Sequence, residues 1–582
     1  MHRRIAVAAI LVSLLALVPG GSAAQASTTF RFYGSGFGHG IGMSQWGAYG
    51  LALKGWTHQR ILTHYYQHTT VGKAPSEPAK IRVGLVDSVR SVHLTARNGP
   101  VAVRVGAPTK SATVAWTLKA GTTYQLKGGD GRFRLFDGTG ARVGKPVDAS
   151  RKLYATYVDA HAMLQSPEAG HTYNRGWVEI DDTQGCGSCN WRLRMIAVLS
   201  PQEYLYGLGE VPPSWPMEAM EAQADAARTY AEFLIKGLGQ YRSGCNCGVY
   251  DDTRNQVYAG WDHEGESQGQ RWVRAVDATN HEVVQYQGKL IEAQYMSSSG
   301  GYTEDVQNVW GGAAVPYLQG VCDPGDYTQA NPARSWKVAM TSAQVTSHLR
   351  PYTGDIGTVT RFAKIRRGVS GRVLSLTVVG AKGSASVAGV TLRGALGLLD
   401  DRVWINDDKN VTGAIRAKYD ALDCQPGQAT DAERRVAGGS MQRFAVGTIY
   451  RNAAANRTVW LHGPIEDEYV SVKETAGVLG PPLSAIVTIT APSGCNVRPC
   501  AKARFAGGFI FFRSDTGAHE VHGAVLKYYS SNGFAAGHLG FPTTDVTATD
   551  SGGTKATFSG TGSGAIVVTC ASDGTCTESP AK

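Results

Sequence analysis

The chain has 582 residues, 42 % of them hydrophobic and 18 % charged, with a formal net charge of +10 and a pI near 9.0. That length exceeds one ordinary domain, and the balance of apolar and charged residues excludes a disordered polyelectrolyte or a fibrous repeat. The basic excess favours anionic polymers, but no dense Lys/Arg run or base-stacking aromatic motif points to nucleic acid.

His2-Arg3-Arg4 and the apolar run from Ile5 to Pro19 read as an export leader spanning residues 1–26, with Ala24-Gln25-Ala26 at the cleavage point. The run is short for a membrane span and no second one follows, so an exported, non-embedded protein is expected. In that setting the ten cysteines favour disulfides. Cys495/Cys500 and Cys570/Cys576 read as local loops. A bridge inside Cys245-Asn246-Cys247 is expected to be strained, which favours crosswise pairing with Cys186 and Cys189. The alternative for those four is a zinc site with four thiolates.

After the leader comes Phe32-Tyr33-Gly34-Ser35-Gly36-Phe37-Gly38-His39-Gly40-Ile41-Gly42-Met43-Ser44-Gln45-Trp46-Gly47. It lacks the lysine-threonine ending of a phosphate loop and the dinucleotide spacing. A helix is predicted from near Ser44 with Trp46, Tyr49, Leu51 and Leu53, and another from about Thr57 with Ile61, Leu62, Tyr65 and Tyr66. Between Ala79 and Ile180, short alternating runs predict antiparallel strands at Lys80–Leu85, Val101–Val105, Thr113–Leu118, Tyr124–Lys127, Phe133–Phe136 and Trp177–Ile180. No catalytic constellation shows there, and the portion is assigned a supporting role.

Glu210 sits in a turn set by Gly209, Pro212 and Pro213, ahead of a predicted helix that starts around Met217. Pro216 is placed in the first turn with Ser214 or Trp215 at the cap, and Ala219, Ala222, Ala226 and Ala227 form a face that another backbone can approach. A carboxylate on such a turn, held against an indole such as Trp215, would have its pKa raised enough to act as an acid. Further on, Val273–Thr279 reads as a helix and Val283–Tyr286 and Leu290–Tyr295 as strands. The second strand leads into Met296-Ser297-Ser298-Ser299-Gly300-Gly301, which would put hydroxyls and amides into a cleft.

Beyond Val411 the composition changes to repeats. His462-Gly463 recurs as His522-Gly523, and Leu479-Gly480-Pro481-Pro482 as Leu539-Gly540-Phe541-Pro542. Thr412 to Tyr419 is a partial copy of the His522 to Tyr529 portion.

Several of these stretches resemble one known family. Glu210 to Tyr230 is similar to the core motif of SpoIID/LytB proteins, with Asp225 its least expected member. Gly38 to Gln45 resembles their G-H-G-x-G-M-S-Q motif, Asp251 to Tyr258 their D-x-T-x-x-Q-V-Y segment, and Ser298 to Glu304 their S-S-G-G-x-T-E string. Some members bind zinc through cysteines in the Asp251 segment, where this chain has Asp251 and Asn255 instead. The glycine motif normally closes the domain, whereas here it opens the chain. Such a circular permutation predicts residues 30–40 beside residues 400–406 and near Glu210. The tail resembles LGFP repeats, associated with actinobacterial walls.

The resemblance implies an α+β fold. A SpoIID-like mixed domain at 27–410 (segments 30–70, a β-rich 79–180 and a core at 190–405) would precede β-rich repeats at 411–582. It also implies a secreted, wall-associated lytic transglycosylase acting on peptidoglycan glycan strands. Glu210 would be its acid/base, and Arg228 would orient it or bind a sugar acyl oxygen. His39, Ser44, Gln45, Gln256, Tyr258, Ser298, Ser299 and Gly300 would line the sugar groove. No metal is required. The alternatives are a non-catalytic enhancer of a wall amidase and a wall-binding protein acting through its repeats.

Overall fold

The computed structural model describes residues 28–581 apart from 130, 184–191, 490–494, 496–498 and 563. The chain is α+β. The expected leader and Cys186 and Cys189 lie outside the described residues.

The first strand, Thr29–Gly34, alternates inward Phe30 and Phe32 with outward polar residues and pairs antiparallel with Trp336–Thr341 on one side. On the other side it pairs antiparallel with Val403–Ile405, in the register Phe32↔Ile405 to Gly34↔Val403. This pairing meets the expectation that the permuted order sets for residues 30–40 and 400–406. The glycine loop then turns into the short strand Met43–Ser44 and helix α1, Gln45–Leu53. Ser44 caps α1, its hydroxyl accepting from Gly47 N, which is worth about 1 kcal/mol. Thr57 caps α2, His58–Tyr65, in the same way.

Residues 81–199 form two antiparallel sheets packed face to face around Val92, Leu94, Leu126, Leu135, Val103, Leu153, Ile180 and Met195. The six predicted strands are all present with small shifts of boundary. Six more complete the sandwich: Ser91–Arg97, Arg142–Asp148, Leu153–Tyr157, Met163–Ser166, His171–Tyr173 and Arg192–Leu199. The short strand Val249–Tyr250 joins one edge in parallel with Ile81–Val89.

The strand Arg192–Leu199 leaves this sheet and enters α3, Pro201–Tyr206, through a capping box of Ser200 and Glu203. The turn with Glu210 follows, then α4, Met217–Leu238. Pro216 is the N-cap of α4 and not a first-turn residue, because its extended ψ of 142° places it outside the helix. Its carbonyl accepts from Ala219 N and Met220 N, and neither Ser214 nor Trp215 caps. Ala219, Ala222, Ala226 and Ala227 are buried, and α1 packs on this helix.

The helix expected over Val273–Thr279 spans Gly269–Ala278, and the strand Glu282–Tyr286 follows. The strand expected over Leu290–Tyr295 is two pieces, Lys289–Leu290 and Tyr295–Met296. The second pairs in parallel with Met43–Ser44 and brings the serine string against the glycine loop, with a Phe37↔Ser298 bridge.

Three four-stranded sheets make up the C-terminal region. Their repeat extends to single bonds: the Tyr469 hydroxyl donates to Gly480 O and the Tyr529 hydroxyl to Gly540 O, 60 positions apart (529 − 469). The first helix of this series, Gly413–Ala421, packs on the preceding part through Val411, Ile415 and Tyr419. The Cys322–Cys424 disulfide ties the same joint.

All eight cysteines among the described residues are paired, including Cys495–Cys500 and Cys570–Cys576. Cys245 is bonded to Cys247, which corrects the expected crosswise pairing. Asn246 takes a φ of +54° and folds the two Cα atoms to 5.1 Å. Its side-chain amide donates to Asp181 and its carbonyl accepts from Arg82, so the turn is held from both sides. Two sulfurs joined in this way are not thiolate ligands for a metal.

Candidate functional site

A cleft of about 550 Å³ opens between the glycine loop, the Glu210 turn, the Asn255 loop and the strand Tyr295–Met296. Glu210 is the one carboxylate among its lining residues. Its Oε1 accepts from Val257 N at 2.7 Å and its Oε2 from Gln45 Nε2 at 3.3 Å. The Tyr295 hydroxyl also acts on this carboxyl and favours its charged form. Burial raises the pKa of Glu210, and the three donors offset part of that rise. Trp215 instead packs on Trp46 and Tyr49, with ring centroids 4.7 and 5.1 Å away.

Gln45 and His39 stand in the same cleft. The Gln45 amide reaches Gln223 Oε1 as well as Glu210, so α1 and α4 together fix its direction. His39 Nδ1 accepts from Ile41 N and Nε2 donates to Tyr295 O, both at 3.0 Å, which sets one tautomer. Burial, followed by the nearby Arg372 and Arg393 charges, lowers its pKa to about 4 against the opposing bond to Tyr295. The ring is therefore a fixed neutral donor and no proton acceptor near neutrality. Gly38 has φ +142°, and a Cβ there would lie 2.6 Å from Met296 Cβ; only glycine lets the loop pass so close.

The other expected site residues lie elsewhere. Arg228 is buried on a different stripe of α4 and donates to Asp225 Oδ1 and to Glu282 O, at 3.0 and 2.8 Å. It is not among the lining residues and does not orient Glu210. A positive group at i+3 from a buried carboxylate on one helix pairs with that neighbour first.

Ser44, Ser298 and Ser299 are fully buried. Ser44 and Ser298 donate to the two oxygens of Asp326, both at 2.8 Å, and Ser299 donates to Asp323 Oδ2 at 2.7 Å. They position the loop and not a sugar, since buried hydroxyls near buried carboxylates satisfy them. Gly300 is buried too. Its amide donates to Asp326, and at φ +71° a Cβ would lie 2.7 Å from Ser35 O.

Gln256 is fully buried beneath the cleft. It accepts from the Tyr204 hydroxyl and donates to Ala227 O and to the Tyr295 hydroxyl, so it acts on the cleft only through Tyr295. Tyr258 is 2 % exposed and stacks between Tyr173 and Tyr204 in the core.

Tyr295, Tyr230, Asn255, Trp310 and Arg393 also line the cleft, and the sequence analysis assigns none of them a place in the sugar groove. Trp310 packs against His39, with ring centroids 5.2 Å apart, and Arg393 donates to Gly38 O at 2.6 Å. Tyr230, Asn255 and Tyr295 fall inside or beside the conspicuous motifs, which was a usable signal. Arg393 falls in the stretch Leu392 to Leu398, which resembles what the family places before its glycine motif, and Trp310 has no such motif nearby. Asp323 and Asp326, which hold the serines, sit in a Cys-Asp-Pro-Gly-Asp turn that reads as loop chemistry alone.

Comparison with known proteins bears on residues around this cleft. Residues 190–286 match the SpoIID family, described as stage II sporulation protein, and residues 479–537 match the LGFP repeat. An uncharacterized protein of Brachyspira hyodysenteriae is 36 % identical over 164 residues, covering 27 % of this chain and 41 % of that one. A Bacillus subtilis protein named amidase enhancer is 37 % identical over 136 residues, covering 23 % of this chain and 16 % of its own. Stage II sporulation protein D of Bacillus amyloliquefaciens is 33 % identical over 134 residues, covering 22 % and 39 %. The matched stretch thus spans less than half of each relative. Among the described residues no helix is long and apolar enough to cross a membrane.

Proposed function

We propose that this chain is an exported, wall-associated lytic transglycosylase that cleaves the glycan strands of peptidoglycan through Glu210. The observation that carries this reading is a single carboxyl in the cleft, raised in pKa by burial and held by Val257 N, Gln45 and Tyr295. Hydrolytic glycosidases use two carboxyl groups, one to handle the leaving oxygen and one to activate water or to bond the sugar. Closure of an internal anhydro ring needs only one.

Glu210 in its acid form protonates the bridging glycosidic oxygen as the bond from the muramic anomeric carbon to that oxygen breaks. The primary hydroxyl of the same sugar then bonds to the anomeric carbon, and its proton returns to the Glu210 carboxylate. Tyr295 and Gln45 hold the carboxyl while it changes charge. Trp310, Tyr230 and His39 border the space a sugar would take. The domain limits 27–410 and 411–582 belong to the same proposal, with the LGFP region as wall-polysaccharide contact. General acid-base help of this kind is worth roughly a hundred- to ten-thousand-fold. Glu210→Gln is therefore expected to fold normally and to stop release of anhydro-muramyl products from purified glycan strands, read by mass spectrometry. Unchanged release would refute the assignment.

The relative named amidase enhancer supports a second reading, in which the fold assists an amidase and Glu210 does no chemistry. In a reconstituted amidase assay, Glu210→Gln would then enhance as the wild type does.

A further inference from the structure

Helix α4 carries two polar stripes. Gln223 and Tyr230 serve the cleft, whereas Glu218, Glu221, Asp225 and Arg228 meet His58 at the start of α2 and Glu282 on the strand Glu282–Tyr286. His58 Nδ1 lies 3.1 Å from Glu218 Oε2 and 3.1 Å from Glu221 Oε2. Glu218 is further fixed by the His58 backbone N–H at 2.6 Å. With its proton on Nδ1, the ring presents the lone pair of Nε2 toward Glu282 Oε2, at 3.3 Å, and Asp225 Oδ2, at 3.9 Å.

Asp225 is 0 % exposed. Its Oδ1 accepts from Arg228, but its Oδ2 has no hydrogen-bond partner; the neighbouring Thr279 hydroxyl donates to Ala275 O instead. Leaving a buried carboxylate oxygen empty is costly, and this one points into a group of ligand-type atoms.

We propose that His58 Nε2, Asp225 Oδ2 and Glu282 Oε2 bind a divalent transition-metal cation, Zn²⁺ or Mn²⁺, that ties α2 to α4 and to the strand behind them. The three atoms lie within 4.8 Å of one another. Ligand bonds of about 2.0–2.2 Å in a tetrahedral shell put ligand atoms roughly 3.3 Å apart, and Nε2 stands 3.3 Å from Glu282 Oε2 and 3.9 Å from Asp225 Oδ2. The Glu282 side chain is 30 % exposed, which gives water a route to the remaining position. Imidazole with carboxylates suits Zn²⁺ or Mn²⁺ better than the all-oxygen sets of Ca²⁺ and Mg²⁺. The carboxylates behind Nδ1 supply the outer support that sets the ring and raises its basicity toward a metal. Four acidic side chains here face one arginine, so a dipositive ion meets excess negative charge. The site is on a different stripe of α4 from the one that serves the Glu210 cleft, and its role is structural.

The test uses the full chain with its disulfides intact, freed of metal by a chelator and titrated calorimetrically with zinc chloride alone and manganese chloride alone. One equivalent is expected to bind and to raise the melting temperature. Asp225→Asn and Glu282→Gln should each weaken binding by about tenfold or more. Glu282→Gln, at a part-exposed position, keeps the test decisive if Asp225→Asn does not fold. The rival occupant is a second proton on His58. No uptake by the wild type below millimolar metal, or uptake that Glu282→Gln leaves unchanged, overturns the proposal.

Discussion

Gln256 Nε2 lies 2.9 Å from the Tyr295 hydroxyl, and that bond determines where the phenol sends its proton. Because Gln256 donates to the phenol oxygen, the phenol proton is left free to act elsewhere, and the hydroxyl favours the charged form of Glu210. A fully buried amide thus tunes a cleft carboxylate that it never touches.

Tyr295→Phe removes a donor that favours the charged form of Glu210. A hydrogen bond to a charged group is worth about 1.5–3 kcal/mol, so the Glu210 pKa rises and the acid form persists to higher pH. The alkaline limb of the rate profile for glycan cleavage is expected to move up by about one pH unit or more. An unmoved limb would show that the phenol does not set the carboxyl.

Ser298→Ala and Ser299→Ala should cost stability and not substrate affinity. Each removes a donor from a fully buried aspartate, Asp326 or Asp323. The expected loss is about 1–3 kcal/mol in denaturant unfolding, with KM for glycan strands unchanged.

Arg228→Met leaves Asp225 without its charged partner and Glu282 O without its donor. Breaking one side of a buried pair costs about 3–5 kcal/mol. The folded fraction is expected to keep its turnover per active molecule, which active-site titration against denaturant midpoint can separate. A turnover loss of a hundredfold at normal stability would restore the orienting role.

Stability should fall as the solution becomes more alkaline. Burial, and then the like charges of Asp252, Asp323 and Asp400, raise Asp251 to about 7, Asp326 to about 6 and Asp401 to about 7, from an ordinary 3.8. The folded chain keeps protons that the unfolded chain releases above about pH 4, so stability from these groups is full below that point and is lost as pH rises through the folded values. The melting temperature is expected to be lower at about pH 8 than at about pH 5.

Where the sequence was informative, it was so through local rules. Apolar spacing announced the helices that start near Ser44 and Thr57, alternation announced the sandwich strands, and the permuted motif order announced residues 30–40 beside 400–406, where Phe32 pairs with Ile405. Glu210 was visible because its turn and helix form one continuous motif. The serines misled because a hydroxyl has the same appearance in a sugar cleft and against a buried aspartate, and their partners Asp323 and Asp326 lie some two dozen residues away. Arg228 misled because the motif tied it to Glu210, whereas its three-residue spacing from Asp225 makes those two partners on one side of the helix. The Cys245–Cys247 bond was hidden because it depends on one left-handed residue, Asn246.

The Cys322–Cys424 bond has a mechanical consequence. Tension on the repeat region reaches Cys322 across the sulfurs without passing along the 102 positions that separate the two cysteines in the chain. Cys322 is followed by Asp323, the anchor of Ser299, and the serine string continues directly from Tyr295. A pull on whatever the tail grips is thus delivered beside the floor of the cleft, and reduction of that bond would disconnect the load.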